Sequence, residues 1–195
     1  MANVSEAASL EIEKYKNSLR EFYATHGEVP IFVERSITTK GPQHHTFIEA
    51  IPMPKELASK LLPTSFSEES KYHNMNFVLM ESSKNLFNTA EDDRQYFHIE
   101  MPSRIQLIYN VPKDRKNKRQ KNAEAAGKVP KRIGARVPLQ FARKIVCRVL
   151  NCPERLHWKS CVVAPNVESQ LANEFKVAFS KFDWTLNENE SGDGK

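Results

Sequence analysis

Two short runs of the chain combine histidine and glutamate at strand spacing. In HHTFIEAIP, alternation places His45, Phe47 and Glu49 on one face of a predicted strand. In YFHIE, His98 and Glu100 likewise share one face. A carboxylate can orient an imidazole, so the two histidines and two glutamates could form one hydrogen-bonded cluster if both strands lie in one sheet. General acid and base catalysis is one interpretation of this cluster, and a purely structural set of hydrogen bonds is the other.

A second candidate site is the basic segment from Lys113 to Arg136. It holds ten lysines or arginines against Asp114 and Glu124, a net charge of +8 in a chain of net charge +5. Its like charges and few apolar residues predict a solvated loop. Two interpretations stay open: a soluble loop or nuclear-import signal, or an arm that binds RNA phosphates without sequence preference. The predicted phosphate-binding residues are Lys113, Arg115, Lys116, Lys118, Arg119, Lys121, Lys128, Lys131, Arg132 and Arg136.

The third candidate set is Cys147, Cys152, His157 and Cys161, which follow one another at spacings of five, five and four. Structural zinc sites usually contain close pairs such as Cys-x-x-Cys, which these spacings do not supply. We therefore expect no metal site here and a packing role for Cys147, which falls on the apolar side of a predicted helix. The odd number of cysteines predicts a reducing compartment.

Composition limits the class of protein. The chain has 195 residues, of which 39% are hydrophobic, as expected for a soluble protein with one sizeable core or two small ones. The first twenty residues contain three glutamates and no long apolar run, so we expect no secretory signal, no membrane span and an intracellular protein.

Hydrophobic periodicity and turn residues predict an α+β fold. A first helix is expected from Ser5 to Ala24, ended by Gly27. A last helix is expected to bury Leu171, Phe175, Ala178 and Phe179. Phe182 and Trp184 follow it as a predicted aromatic anchor. Between them we predict strands at 29–36 and 44–52, two short helices within 54–76, a strand pair at 95–102 and 104–112, and a helix at 137–153.

The run around His45 resembles the active-site strand of the histidine-triad nucleotide hydrolases and transferases. That strand reads His-x-His-x-His, then two apolar residues and often proline; aligned on Pro52, its histidines correspond to His45, Phe47 and Glu49. The superfamily's nucleophile is the middle histidine, and a phenyl ring offers no lone pair for attack on a phosphate. The resemblance therefore implies a degenerate triad without enzyme activity. In some relatives the first histidine binds zinc beside an upstream Cys-x-x-Cys, so zinc at His45 would require ligands upstream of Met1.

The chain as a whole resembles the C-terminal part of the CwfJ family of splicing factors. PIFVERS, HHTFIEAIPMPKELA, QYFHIEMP, QFARKIVCRVLNCPERLHWKSC and FKVAFSKFDWTLN occur in that family's order, from about Ser9 to Leu186. The resemblance implies a partial histidine-triad-like sheet with helices in residues 1–94, a smaller α+β subdomain in 95–186 that carries the basic loop 113–136, and a polar tail in 187–195. Since the family normally has a further histidine-bearing strand pair before the first helix, we expect the chain to be a C-terminal piece of a longer protein.

The same resemblance implies a nuclear role in late pre-mRNA splicing. The expected function is a non-catalytic adaptor without a cofactor of its own. Its expected partners are proteins of the intron-lariat spliceosome, branched or single-stranded RNA and the lariat debranching enzyme, with no membrane partner. Two alternatives stay open: a phosphodiesterase or nucleotide hydrolase that uses His45, His98 and the two glutamates, and a pure protein scaffold.

Overall fold

The computed structural model describes residues 5–38, 44–80, 95–111, 138 and 140–186. The fold is α+β, as predicted: a five-stranded antiparallel sheet has helices against both of its faces. The strands are β1 (Glu28–Thr38), β2 (His44–Pro54), β3 (Val78–Leu79), β4 (Tyr96–Glu100) and β5 (Gln106–Asn110). The helices are α1 (Glu6–Ala24), α2 (Lys55–Tyr72), α3 (Phe141–Val149) and α4 (Pro165–Phe179), and short 3-10 turns span Pro153–Arg155, Trp158–Cys161 and Ser180–Phe182.

The order of strands in the sheet is β2-β1-β4-β5-β3. The predicted strand pair forms the hairpin β4–β5, β1 pairs antiparallel with β2, and β1 also pairs with β4 on its other side. Arg104, with a φ of 60°, lies in the tight turn between β4 and β5. Strands from both sides of the expected boundary at residue 94 therefore belong to one sheet. Among the described helices, none is long and apolar enough to cross a membrane.

The first helix begins and ends close to its predicted limits. The Ser5 side chain accepts a hydrogen bond from the Ala8 N–H, which caps the first turn of α1. Gly27 follows the helix with a φ of 70°, a left-handed conformation that favours glycine. The buried residues of α1 are Lys16, Ser18 and Phe22, so its inward face combines polar and apolar side chains.

The main core lies between the sheet and the pair α2 and α3. Phe141 of α3 is almost fully buried and contacts Phe66, Phe77 and Phe97, with ring centroids 5.9, 5.9 and 5.3 Å away. Sequence periodicity did not single out Phe141, although this residue connects α3 with α2 and the sheet. Polar contacts reinforce the same junction, since Lys144 lies 2.8 Å from the buried carboxylate of Glu69.

Helix α2 is continuous where two short helices were expected. Pro63 lies inside it and removes one backbone donor, which ordinarily bends or ends a helix. The buried side chains of Ala58, Leu62 and Phe66 recur at spacing four across the proline. Burial of this stripe against the core offsets the lost hydrogen bond and keeps the two halves in one helix.

Helix α3 is shorter than predicted because it ends in a left-handed cap. Asn151 has a φ of 51°, and the Cys152 N–H donates to the Cys147 carbonyl across the cap at 2.9 Å. This pattern ends the helix before Pro153, which instead begins a 3-10 turn.

The expected burial of α4 is wrong for most of its length. Phe179 is buried, but Leu171 is 53% exposed and Phe175 and Ala178 are also exposed. Phe175, Phe179 and Phe182 meet α1 through Phe22, with ring centroids 5.5 to 5.7 Å apart. The apolar periodicity identified the helix, but the tertiary packing covers only its C-terminal end.

Candidate functional site

The two faces of the sheet differ in chemistry because β1 pairs with β2 and β4 at once. Residues that pair directly across an antiparallel ladder project to the same face. Val33 pairs with Glu49 and Ile99, and Arg35 pairs with Phe47 and Phe97. Phe47 and Glu49 therefore lie on the face that carries α2 and α3.

A pocket of about 320 Å³ opens on this face at the N-terminal end of α3. Two of the aligned triad positions, Phe47 and Glu49, line it, and Phe47 is 40% exposed. The other polar or aromatic lining includes Arg35 of β1, Gln140 and Arg143 at the start of α3, and Trp158 of the second 3-10 turn. We call this cavity the Arg-Trp pocket. Trp158 is 57% exposed, so a flat ligand could reach its ring.

Two arginines give the Arg-Trp pocket its positive charge. Arg35 is buried and donates a hydrogen bond to the Pro138 carbonyl. Burial lowers the pKa of the Arg35 guanidinium, and the negative charge of Glu49 opposes that shift. Arg143 donates from Nη1 to the Arg155 carbonyl at 3.3 Å and contacts Cys161 Sγ at 3.6 Å. These hydrogen bonds fix the positions of both guanidinium groups.

A larger groove of about 650 Å³ lies between α2 and the turn that joins β4 to β5. Its lining is mainly apolar, with Leu62, Phe66 and Met101 at its base, and Lys71 is the one charged residue among the described residues that line it. The described lining of the groove has no acidic side chain and a single basic one, whereas the smaller pocket combines two arginines with a glutamate and exposed aromatic rings, so we take the Arg-Trp pocket as the candidate site.

The structure does not bring the four predicted histidines and glutamates together. Glu34 of β1 pairs with both His98 and Ile48, so His98 and Glu100 lie on the α1 face, opposite to Glu49. His45 pairs with Ile37 at the edge of the sheet, and its side chain lies outside the described residues. The prediction of one shared cluster is therefore wrong, because the register of β1 with its two neighbours puts the pairs on opposite faces.

On the α1 face, Glu100 is held by two cations from α1. Its Oε2 accepts a hydrogen bond from Lys16 at 3.0 Å, and Oε1 accepts another from Arg20. The neighbouring Tyr96 hydroxyl donates to the Glu34 carboxylate. His98 lies in this polar layer, is 1% exposed and shares a side-chain hydrogen bond with Gln106. The layer explains why α1 turns Lys16 towards the sheet.

Burial holds His98 neutral. Desolvation, with a further contribution from the charge of Lys16, lowers the pKa of its imidazole to about 3. A histidine with this pKa carries no exchangeable charge near neutral pH, and this one lines neither cavity. The position of His98 thus favours the structural interpretation over the catalytic one.

The pKa of His98 predicts a pH dependence of stability. The unfolded chain protonates this imidazole near pH 6.5, whereas the folded chain does so only near pH 3. Stability from a neutral His98 is therefore complete above pH 6.5 and declines as the pH falls towards 3, with a slope of up to about 1.4 kcal/mol per pH unit. We expect His98→Gln to flatten the free energy of unfolding in this range, as measured by urea titration at several pH values. Parallel profiles for the two proteins would contradict the assignment.

Cys147 is buried beside Cys152 at the C-terminal cap of α3, as a packing role requires. Cys147 and Cys152 occupy the two positions of the α3 cap that commonly make a hydrophobic contact. Burial raises the pKa of the Cys147 thiol, and nearby Cys152 raises it further. Over the ranges that the structure describes, no three histidine, cysteine or acidic side chains are arranged to hold a metal ion.

Several predicted site residues lie outside the described residues. These are the ten lysines and arginines of the basic segment 113–136, and the polar tail 187–195. Pro138, two positions after the segment, is described, and its carbonyl accepts the hydrogen bond from Arg35.

The pocket itself was not predicted from the sequence. Arg35, Gln140, Arg143 and Trp158 come from a strand, a helix start and a 3-10 turn that are up to 123 positions apart in sequence. No local spacing links them. The one available signal was the arginine within each of two partly apolar runs, PIFVERS and QFARKIV.

The fold and site define an α+β protein whose sheet carries a basic, aromatic pocket on one face. The chain belongs to the CwfJ family: residues 1–67 match the family model described as protein similar to CwfJ C-terminal, and residues 58–185 match the one described as protein similar to CwfJ C-terminus 2. The two matches overlap within α2.

Similar curated proteins support this assignment. The chain is 24% identical to the mouse CWF19-like protein 1 and 28% identical to a CWF19-like protein 1 homolog of Drosophila melanogaster, over 91% and 90% of its length. It is also 27% identical to zinc finger CCCH domain-containing protein 64 of Arabidopsis thaliana over 89% of its length. The chain spans 29%, 27% and 26% of these three relatives.

Proposed function

We propose that the chain is a non-catalytic, RNA-binding adaptor of late pre-mRNA splicing in the nucleus. Membership of the CwfJ family associates it with splicing. The adaptor would bring intron RNA together with proteins of the intron-lariat spliceosome and the lariat debranching enzyme, so that excised lariats are turned over.

The observation that carries this proposal is Phe47 in the Arg-Trp pocket. A pocket with two guanidinium groups suits phosphate, whereas the position aligned with the nucleophile of the histidine-triad enzymes carries a phenyl ring. Binding without bond cleavage is the function that this combination of groups supports. A hydrolase that uses His98 is disfavoured, because His98 is buried on the other face of the sheet.

The basic segment supplies the second part of the argument. Its net charge of +8 is contained in 24 residues, and in the sequence it ends two positions before Pro138, whose carbonyl accepts a hydrogen bond from Arg35 of the pocket. Lysines and arginines that neutralise phosphates release counterions, so their affinity for RNA is high at low salt and largely independent of sequence. We therefore assign long-range attraction of RNA to the segment.

The test is to replace Lys116, Lys118, Arg119 and Lys121 together by alanine. We expect weaker binding of single-stranded and branched RNA and a shallower slope of log affinity against log salt, by about one unit of slope per lost phosphate contact at most. Fluorescence anisotropy of labelled RNA at several salt concentrations measures both quantities.

A matched control removes the same number of exposed positive charges elsewhere, by the quadruple substitution of Lys55, Lys60, Lys176 and Lys181 by alanine. The control variant should keep most of the wild-type slope. If both variants bind RNA as the wild-type chain does, the segment is a spacer or an import signal, and the scaffold function takes the place of the proposal.

A further inference from the structure

We infer that the Arg-Trp pocket binds one unstacked nucleotide of an RNA chain, with the base against Trp158 and Phe47 and the phosphate against Arg143. This inference rests on the proposed function and deepens it. It assigns to the pocket the binding of a single nucleotide, which is distinct from the attraction of RNA phosphates that we assign to the basic segment.

The size of the pocket limits the ligand. At about 320 Å³, its volume lies at the lower end of the range for small-molecule sites. One nucleotide fits such a volume, whereas a base-paired duplex or a folded protein element does not. The ligand must therefore be a small group or a single unit extruded from a polymer.

The aromatic lining suits a flat ring. Trp158 and Phe47 are both substantially exposed at the pocket, although aromatic side chains of this size are usually buried. Lys159 Nζ lies 5.8 Å from the centroid of the Trp158 ring and adds positive charge at its edge. Bases stack on exposed aromatic rings in single-stranded RNA recognition, where each such contact is typically worth a factor of about ten or more in affinity.

The polar lining suits a phosphate and a base edge. A guanidinium carries five N–H donors, and the hydrogen bonds that the described residues make with Arg143 use only Nη1. Arg143 can therefore donate to a phosphate without giving up its present partners. Gln140 and Glu49 line the same pocket and offer amide and carboxylate groups to the edge of a base.

The charge of the pocket lining favours a ligand with one negative charge. Glu49 offsets one of the two guanidinium groups, leaving the lining near a single net positive charge. A monoester or diester phosphate of one nucleotide matches this balance better than a di- or triphosphate. The same argument favours an RNA chain, in which each nucleotide contributes one negative charge.

The test uses uridine and adenosine monophosphates, the matching trinucleotide RNAs and the full chain. Stacking should quench the fluorescence of Trp158, and the quenching should disappear in Trp158→Leu, which retains Trp184 as its remaining tryptophan. Trp158→Phe keeps an aromatic ring and should retain most of the affinity. Arg143→Gln should lower the affinity for both mononucleotide and trinucleotide by at least about tenfold.

The matched control is Arg148→Gln, which removes the same charge from the same helix. Arg148 lies near Glu68 and Glu69 of α2, away from the pocket, and its replacement should change the affinity less than about twofold. Equal losses in the two variants would overturn the inference. So would the absence of quenching, because no base would then contact Trp158.

Other ligands give distinct results. Binding of free monophosphates without binding of the trinucleotides would overturn the assignment to an RNA chain. Binding of a phosphoserine peptide that depends on Arg143, without binding of nucleotides, would overturn the nucleotide assignment. If the variant of the basic segment no longer binds long RNA but still binds nucleotides, both proposals stand. If Arg143→Gln leaves nucleotide affinity unchanged while the segment variant loses affinity for RNA, only the proposed function stands.

Discussion

We expect that the purified chain does not hydrolyse adenosine phosphoramidates or dinucleoside polyphosphates. In the alignment with the histidine-triad strand, Phe47 stands at the position of the nucleophile, and its ring lines the Arg-Trp pocket. Removal of a nucleophile typically lowers kcat by about 10⁴- to 10⁶-fold. We therefore expect turnover at the level of the buffer blank, measured by chromatography of the nucleotides with an intact histidine-triad hydrolase as the positive control.

The decisive variant in this assay is His45→Ala. If the purified chain has turnover that this substitution abolishes, His45 acts as a catalytic group and the adaptor function is wrong. Phe47→His provides the complementary experiment, because it restores an imidazole within the pocket while leaving Arg35 and Arg143 in place. We expect this variant to bind nucleotides and still to lack full activity, since Glu49 occupies the position of the third histidine.

Replacement of Glu100 by glutamine should produce the largest loss of stability among the substitutions in the sheet. The Glu100 side chain is 3% exposed and Lys16 only 8%, and Arg20 completes the ion pair from the same helix. Removal of the Glu100 carboxylate takes the counter-charge from Arg20 and leaves Lys16 with the half-exposed carboxylate of Glu13. Loss of one partner of a buried ion pair costs about 3 to 5 kcal/mol. Urea denaturation of the wild-type and variant chains measures the difference in free energy of unfolding.

The control is Glu13→Gln, which removes the other carboxylate that contacts Lys16. Glu13 lies at the same distance of 3.0 Å but is half exposed, so water replaces the lost contact and the cost should stay below about 1 kcal/mol. Equal effects of the two substitutions would mean that the ion pair of Glu100 is solvated. The interpretation of Glu100 as a structural residue would then lose its basis.

Sequence alone predicted the parts of this protein that depend on local patterns. Strand alternation identified β1 and β2, and the short spacing between β4 and β5 identified their hairpin. Ser5 and Gly27 marked the limits of α1, because capping and left-handed backbone depend on residue type. The absence of a middle histidine and the charge of the basic segment also follow from sequence, as both concern residue identity.

The tertiary structure determined the features that depend on contacts between separate strands and helices. Alternation fixes which residues of one strand share a face, but the relation between two strands depends on their register with β1. That register separated His98 from Glu49. Likewise, the apolar stripe of α4 predicted a helix correctly but not its burial, since within the described part of the chain the ring contacts of α4 lie at the end near Phe22. The Arg-Trp pocket exists only because folding brings Arg35 beside the start of α3, a proximity that no spacing along the chain encodes.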